Sequence, residues 1–160
     1  MIRILPLAAT AALFAMPALA CDGFGAHDAY ARFSTSMSQS GAAFMVLHNH
    51  GTEDCHITGA RSDVAQRTEL HTHEIGENGV ARMIHVEEGF PLPADGELVL
   101  QRGGDHVMLM GLNSPLEQGE TFDLTLIFAD GSESTFPVTV DNERMPGQMP
   151  EGAAMNGHDH

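Results

Sequence analysis

The sequence contains no lysine and no tryptophan, and only 2 cysteines and 1 tyrosine among its 160 residues. All 7 basic residues are arginines, set against 22 acidic residues, which gives a formal net charge of -15. Nucleic-acid phosphates and anionic membrane surfaces both attract clustered positive charge, so this composition argues against either partner. With 42% hydrophobic residues, the chain is still apolar enough to fold around a core, and its length suits about one domain.

The first twenty residues have the features of a secretory signal. Arg3 precedes an apolar run over residues 4–14, and Ala18-Leu19-Ala20 provides a small-x-small cleavage site. Because this run is too short to span a bilayer, we expect residues 1–20 to be a signal peptide that is removed after Ala20. The mature chain is then exported to the periplasm without inserting into the membrane. A cysteine directly after the cleavage site also leaves open a lipid anchor at Cys21.

The two cysteines are expected to pair. Export to an oxidising compartment predicts a disulfide between Cys21 and Cys55. Such a bridge closes a loop of about 35 residues and stabilises the fold by about 3–4 kcal/mol on the chain-entropy estimate. The alternative, in which the two thiols bind a metal, stays open at this point.

The pattern of the chain predicts an all-β domain over residues 21–141. Short apolar or alternating runs recur between glycine, proline, asparagine and aspartate, which is typical of a sandwich or barrel, and no segment has a sustained helical period. The clearest signal is a hairpin, in which two alternating runs flank an Asp130-Gly131 turn. The predicted strands cover residues 42–47, 55–62, 67–72, 81–86, 97–101, 106–110, 121–128 and 134–140.

Histidine and methionine are abundant, with 10 of each, and many of them occur in pairs. In a strand, residues i and i+2 point to the same face, and more His/Met pairs have this spacing than the roughly two expected from random placement. Pairs on several strands can converge on one metal ion. The pairs are His48/His50, His71/His73, Met83/His85, His106/Met108, Met108/Met110 and His158/His160. For the first, in a predicted turn, metal binding and plain surface polarity both stay open.

The donor chemistry indicates copper. Thioether sulfur is a soft ligand that suits Zn(II), Ca(II) and Mg(II) poorly, whereas imidazole with thioether favours copper, and methionine favours Cu(I). A blue-copper carrier needs a cysteine between its histidines, and a zinc hydrolase needs a helical histidine pair; neither pattern is visible. No Ser-His-Asp or Cys-His nucleophile motif is present either. We therefore expect a metal-binding protein that is not an enzyme.

Three segments carry a family resemblance: Leu70-His71, residues 79–83 and residues 103–112. They resemble the periplasmic copper chaperones of the PCu(A)C family, also written PCuAC. That family has a histidine, a methionine about a dozen residues later and, after a further loop, a His-x-Met. The resemblance extends over about residues 29–140. It implies that the four ligands of Cu(I) are His71, Met83, His106 and Met108.

The resemblance also implies a fold and an activity. The fold is expected to be a cupredoxin-like β-barrel or sandwich. The activity is expected to be delivery of copper to the copper centre of cytochrome c oxidase, with its copper-accepting subunit or another assembly chaperone as the partner. The competing interpretation is a periplasmic copper storage or resistance protein, which binds more than one copper per chain. A disulfide-reducing enzyme is disfavoured because the sequence has no Cys-x-x-Cys.

The composition changes from Asn142 onward to proline, glycine, methionine, histidine and acidic residues, which predicts a flexible tail over residues 142–160. Imidazole with carboxylate suits Cu(II), and thioether suits Cu(I). The tail is therefore a candidate second site, mainly for Cu(II), and the alternative is a solvated acidic end without metal. Its candidate donors are Met145, Met149, Met155, His158 and His160.

Overall fold

The computed structural model describes residue 21, residues 23–35 and residues 37–145. The predicted signal peptide and most of the predicted tail lie outside these residues. Ten strands and no helix occur in the described chain, which therefore contains no helix able to cross a membrane. The strands are β1 (Phe24–Phe33), β2 (Ser40–Asn49), β3 (Cys55–Arg61), β4 (Ala65–Ile75), β5 (Ala81–His85), β6 (Phe90–Leu92), β7 (Gly96–Leu100), β8 (His106–Leu112), β9 (Thr121–Phe128) and β10 (Glu133–Val140).

The strands form one continuous hydrogen-bonded sheet. Its order is β5-β4-β8-β2-β1-β10-β9-β3-β6, and β7 also pairs with β2. Neighbours run antiparallel, except β1 and β10, which pair in parallel. The buried apolar side chains come from both halves of this order, so the sheet folds over and encloses the core between two layers. The fold is the all-β, cupredoxin-like sandwich that the resemblance implied.

The predicted hairpin shows how alternation builds this core. Strand β9 buries Phe122, Leu124 and Leu126 on one side, and β10 returns beside it after the turn at Asp130-Gly131. The Asp130 carboxylate accepts hydrogen bonds from the backbone N–H and the hydroxyl of Ser132, which closes the turn. Each leucine that is fully buried in this way contributes about 1.5–3 kcal/mol relative to an exposed one.

All eight predicted strands are confirmed, but two further strands were missed. In β1 the register shifts between His27 and Tyr30, and Asp28 has a positive φ of 53°. Such a bulge moves the inward side chains from one parity to the other, so the two-residue period is broken within the strand. Strand β6 has only three residues, and Pro91 at its centre restricts it to the edge of the sheet.

Two further sequence predictions can be compared with the structure. The disulfide between Cys21 and Cys55 is confirmed, and it ties a residue three positions before β1 to the start of β3. The described chain accordingly has no thiol available to bind a metal. The turn predicted at His48 and His50 begins later than expected, because β2 continues through His48 to Asn49 and keeps pairing with β1 and β7, and the chain bends at residues 51–53.

Candidate metal centre

Three histidines form a row across β5, β4 and β8. In the strand register, His71 lies directly opposite His85 on one side and His106 on the other. The ring centroids are 5.6 Å apart for His71 and His85, and 5.9 Å apart for His71 and His106. Because directly opposite residues share a face of the sheet, the three imidazoles lie side by side on one surface. The structure thus brings the two predicted histidine ligands together.

The two predicted methionine ligands lie on the same surface, on diagonals from His71. Met83 precedes His85 by two residues and is opposite His73, and Met108 follows His106 by two residues and is opposite Glu69. Diagonal neighbours are within reach of long side chains such as methionine. Met83 is 46% exposed on the edge strand β5. The predicted ligands therefore share one face, which we call the His/Met face (Glu69, His71, His73, Met83, His85, His106 and Met108).

The alternate residues of the same strands explain why this face points away from the core. Leu70 in β4 and Val107 and Leu109 in β8 are almost completely buried among the apolar side chains of the sandwich. Successive side chains in a strand point to opposite faces. Burial of these three residues therefore places their neighbours His71, His106 and Met108 on the other side of the sheet.

His106 is buried although it belongs to the outer face, with only 1% of its surface exposed. The ring of Phe44 lies 6.1 Å from its ring, and the ring of His73 lies 5.2 Å away. Its Nδ1–H donates a hydrogen bond of 2.9 Å to the Gly104 carbonyl, and its Nε2 has no hydrogen-bond partner. Burial lowers the pKa of His106 below its ordinary value, with smaller contributions from His73 and His71. The imidazole is thus held neutral with one nitrogen unoccupied.

His71 has the complementary arrangement. Its Nε2–H donates a 2.9 Å hydrogen bond to the carboxylate of Glu69, and its buried Nδ1 has no partner. The Glu69 carboxylate also forms an ion pair with Arg67, whose Nε lies 3.0 Å from Oε1. The hydrogen bond from His71, aided by Arg67 and His85, holds the pKa of Glu69 below its usual range. An ionised Glu69 therefore fixes the tautomer of His71 and leaves Nδ1 as the atom able to ligate.

The two imidazoles have the hydrogen-bonding pattern of metal ligands. A ligating histidine almost always donates its second ring N–H to a carboxylate or a backbone carbonyl, as His71 does to Glu69 and His106 does to Gly104. Among the side chains that the structure describes, His71 Nδ1 and His106 Nε2 are the buried polar atoms without a partner. A buried polar atom left unpaired costs about 1–3 kcal/mol, which a bound metal ion would recover.

The His/Met face carries sulfur donors as well as nitrogen and oxygen donors. In the described chain, no three His, Cys, Asp or Glu side chains are already arranged to hold a metal ion. The thioethers of Met83 and Met108 are the sulfur donors on this face. Such a set fits Cu(I), which is a soft ion, better than Zn(II).

The ligand prediction from sequence left out three residues of the face. Glu69 orients His71, His85 stacks on it, and His73 Nδ1 lies 3.3 Å from the same Gly104 carbonyl that His106 uses. Glu69 and His73 each lie two residues from His71, so strand alternation was the signal that places them on this face. The contacts of His73 with Gly104 and of His85 with His71 depend on how the strands are aligned, which the motif does not contain.

The start of the predicted tail is bonded to the body near this face. Arg144 makes an ion pair of 2.5 Å with Asp28, and its guanidinium lies 4.2 Å from the centre of the Tyr30 ring. The Tyr30 ring is in turn 5.3 Å from that of Phe44, which packs on His106. Of the candidate tail donors, Met145 follows this anchor and is exposed. The others, Met149, Met155, His158 and His160, lie outside the described residues.

The family of the chain is established by comparison with known proteins. The family model described as a putative lipoprotein, LpqE-like, matches residues 25–140. A putative lipoprotein, Lxx21020, of Leifsonia xyli subsp. xyli is 41% identical over 99 residues, which cover 62% of this chain and 59% of that protein. The chain spans only 59% and 56% of the length of the curated relatives that it matches first.

Solved structures support the same relationship. Apo-DR1885 from Deinococcus radiodurans is 34% identical with a TM-score of 0.57, and the match covers 88% of this chain and 93% of that one. Its CuI form is 35% identical with a TM-score of 0.58, over 77% of this chain and 82% of that one. A copper-bound PCuAC domain from PmoF2 has a TM-score of 0.60 at 17% identity, over 74% and 92% of the two chains, which shows likeness of fold alone.

The fold and the site together define a β-sandwich that presents paired imidazole and thioether donors on one face. The chain belongs to the LpqE-like family, which is of the PCuAC type.

The lowered pKa of His106 predicts how the metal-free chain responds to pH. Below the ordinary histidine pKa of about 6.5, His106 is protonated in the unfolded chain but stays neutral in the native chain. The free energy of unfolding therefore falls as the pH drops from that value towards the native pKa. His106→Asn, which keeps an amide donor for Gly104, should lose less stability between about pH 7.5 and about pH 5.5 than the wild type. Urea unfolding with a chelator present measures the free energy of unfolding of the wild type and of the variant at each pH. His50→Asn, at an exposed histidine, is the control. Equal losses in all three proteins would contradict the prediction.

Proposed function

We propose that this chain is an exported copper chaperone, and not an enzyme, that holds one Cu(I) through His71, Met83, His106 and Met108. The observation that carries the proposal is the pair of buried, unpartnered nitrogens, His71 Nδ1 and His106 Nε2, whose opposite ring nitrogens are tied to Glu69 and Gly104. Two oriented imidazoles with two thioethers on the same face form a donor set for Cu(I).

The similar proteins support this proposal. DR1885 was solved in a CuI form as well as an apo form, and the PCuAC domain of PmoF2 was solved bound to copper. DR1885 is similar over most of its length, and its identity of 34–35% exceeds that expected from a shared fold alone. The resemblance implies the four ligands of this chain, and the contacts of His71 and His106 support two of them.

The unequal exposure of the donors suggests how the cargo leaves. Met83 is 46% exposed on an edge strand, whereas His106 is 1% exposed beneath Phe44 and His73. A donor from an acceptor protein can therefore reach copper first at the Met83 side and replace its thioether. The buried imidazole of His106 is released last. Exchange of ligands one at a time avoids free Cu(I), and the acceptor that we propose is the copper-accepting subunit of cytochrome c oxidase or another assembly chaperone.

The proposed location is the periplasm, after cleavage behind Ala20. The disulfide at Cys21 agrees with an oxidising compartment. The description of the family as LpqE-like lipoproteins supports export and keeps a lipid anchor as the alternative. Because Cys21 has only one sulfur atom, the disulfide and a lipid on that sulfur exclude each other. The mass of the purified native chain decides between them.

The first prediction concerns the thioether donors. Met83→Leu with Met108→Leu keeps apolar bulk but removes both sulfur atoms, so Cu(I) affinity should fall by at least about tenfold for each lost donor. Competition with a chromogenic Cu(I) chelator measures the affinity. Met37→Leu, at an exposed loop position, is the matched control and should bind like the wild type. Unchanged Cu(I) affinity in the double variant would rule out this ligand set.

The second prediction concerns transfer. The chain loaded with Cu(I) should transfer its copper to the metal-free soluble copper domain of an oxidase subunit. This transfer should be faster than the loss of copper from the chain to a dilute chelator, because ligand exchange takes place in direct contact between the two proteins. Separation of the two proteins by ion exchange, followed by metal analysis, gives the copper in each. Buffered Cu(I) without the chaperone is the control. If more than one copper stays on the chain and the acceptor gains none, storage or resistance is the better function.

The third prediction concerns the proposed second site in the tail, mainly for Cu(II). Truncation should begin after Met145, because Asn142 and Arg144 are bonded to Arg32, Phe33 and Asp28. The shortened chain should keep its thermal stability and its Cu(I) site but bind less Cu(II) than the full chain. Parallel titrations with Cu(II), and with Cu(I) under reductant, compare the two forms. An identical Cu(II) stoichiometry would leave the tail as a solvated end.

A further inference from the structure

A second group of imidazoles lies on β1 and β2, outside the His/Met face. The rings of His27 and His48 are 5.2 Å apart and nearly perpendicular, and the rings of His48 and His50 are 5.4 Å apart and parallel to within 3°. Strand β7 adds a carboxylate, because Glu97 lies opposite His48 and its Oε2 is 3.2 Å from His48 Nε2. We call these four residues the three-histidine cluster.

The cluster is separate from the site already described. His48 follows Phe44 by four residues on β2, and Phe44 is the residue that packs on His106. At a rise of about 3.3 Å per residue, the two positions are roughly 13 Å apart along the strand. The His/Met face and the cluster therefore share no residue and occupy different parts of the sheet.

The backbone of β1 directs His27 into the cluster. The register shift between His27 and Tyr30 lies directly after this residue, and the carboxylate of Asp28, the left-handed residue within it, is held by Arg144. Gly25, the partner of His48 in the register, has no side chain, and a Cβ there would lie 3.2 Å from His27 Nε2. The His27 ring therefore occupies the space above Gly25, beside His48. Bulges often re-aim a side chain in this way.

The chemistry of the cluster differs from that of the His/Met face. It offers three imidazoles and one carboxylate without sulfur, a set that suits divalent ions of borderline softness such as Cu(II) and Zn(II). His27, His50 and Glu97 are exposed, and the side chain of His48 is 30% exposed, so an ion can enter from solvent. The four groups are not yet arranged around one point. Rotation about the side-chain bonds of the exposed residues can bring their donor atoms around one ion.

We propose that His27, His48, His50 and Glu97 form a second metal site that takes one divalent transition-metal ion. Among these ions Cu(II) binds most tightly, because the affinity of nitrogen and oxygen donors for divalent first-row metals is higher for copper than for zinc. The formal charge of -15 raises the concentration of cations near the surface and favours their capture. The site is independent of Cu(I) binding at the His/Met face.

The test uses the full chain and Zn(II), which is redox-inert and a poor match for thioether donors. Nitrogen-15 spectra of the imidazoles, recorded during a zinc sulfate titration, report each histidine separately, so binding elsewhere does not interfere. The ring nitrogens of His27, His48 and His50 should shift together at one equivalent. His48→Gln and His27→Gln should each weaken this event by at least about tenfold, and His56→Gln should leave it unchanged. Copper sulfate should broaden the same three signals at a lower concentration.

Two results would overturn the proposal. One is the absence of any coordinated shift of the three rings, which would make the cluster a stacked polar surface only. The other is an equal loss of affinity in the His48 and His56 variants. Unchanged signals of His71 and His106 in each variant verify that the fold is intact. Because Cu(I) binding is measured separately, failure here leaves the proposed chaperone function standing, and the reverse also holds.

Discussion

Burial of one side of β4 and β8 is the constraint on which the site depends. Leu70, Val107 and Leu109 are held in the core, and the two-residue period of a strand then fixes the direction of every neighbour. A slip of one residue between the strands would exchange the faces, placing His71 in the core and Leu70 in solvent. The hydrophobic effect thus sets the register, and the register brings His71 opposite His106 without any direct attraction between them.

The strands were predictable where alternation is regular, as in β9, and were lost where something interrupts it. In β1 the bulge at Asp28 changes the parity, so a ten-residue strand contains no long run of one pattern. The disulfide followed from export and the count of cysteines. The proposed ligands came from the His-x-Met motif, but Glu69 could not be given a role from sequence. Glu69 contacts His71 within the same strand and binds its Nε2, which leaves Nδ1 as the free nitrogen of the ring. That Nδ1 is also buried and unpaired depends on the packing of the sheet, which the sequence does not show.

The two histidine groups illustrate how the same side chain acquires different properties. On the His/Met face, His106 is buried, its tautomer is set by Gly104, and its low pKa keeps it neutral. In the three-histidine cluster, the rings of His48 and His50 stack, those of His27 and His48 meet edge to face, and His27 and His50 are exposed. The first arrangement is organised before a metal arrives, and the second requires ordering of side chains on binding. Affinity and exchange rate should therefore differ even though both groups use imidazole.

Strand β5 combines exposure with a place at the end of the sheet. Its five residues are all exposed, and among the described strands it pairs only with β4, so one row of its backbone N–H and C=O groups faces outward. Ile75, Val80 and Ile84 add apolar surface along this hairpin. An open edge of this kind is a template for pairing with another chain, and its shortness and the charge of Arg82 oppose that pairing. The geometry that opens the donor Met83 to an acceptor thus carries an inherent risk of self-association, which limits how long and how apolar this strand can become.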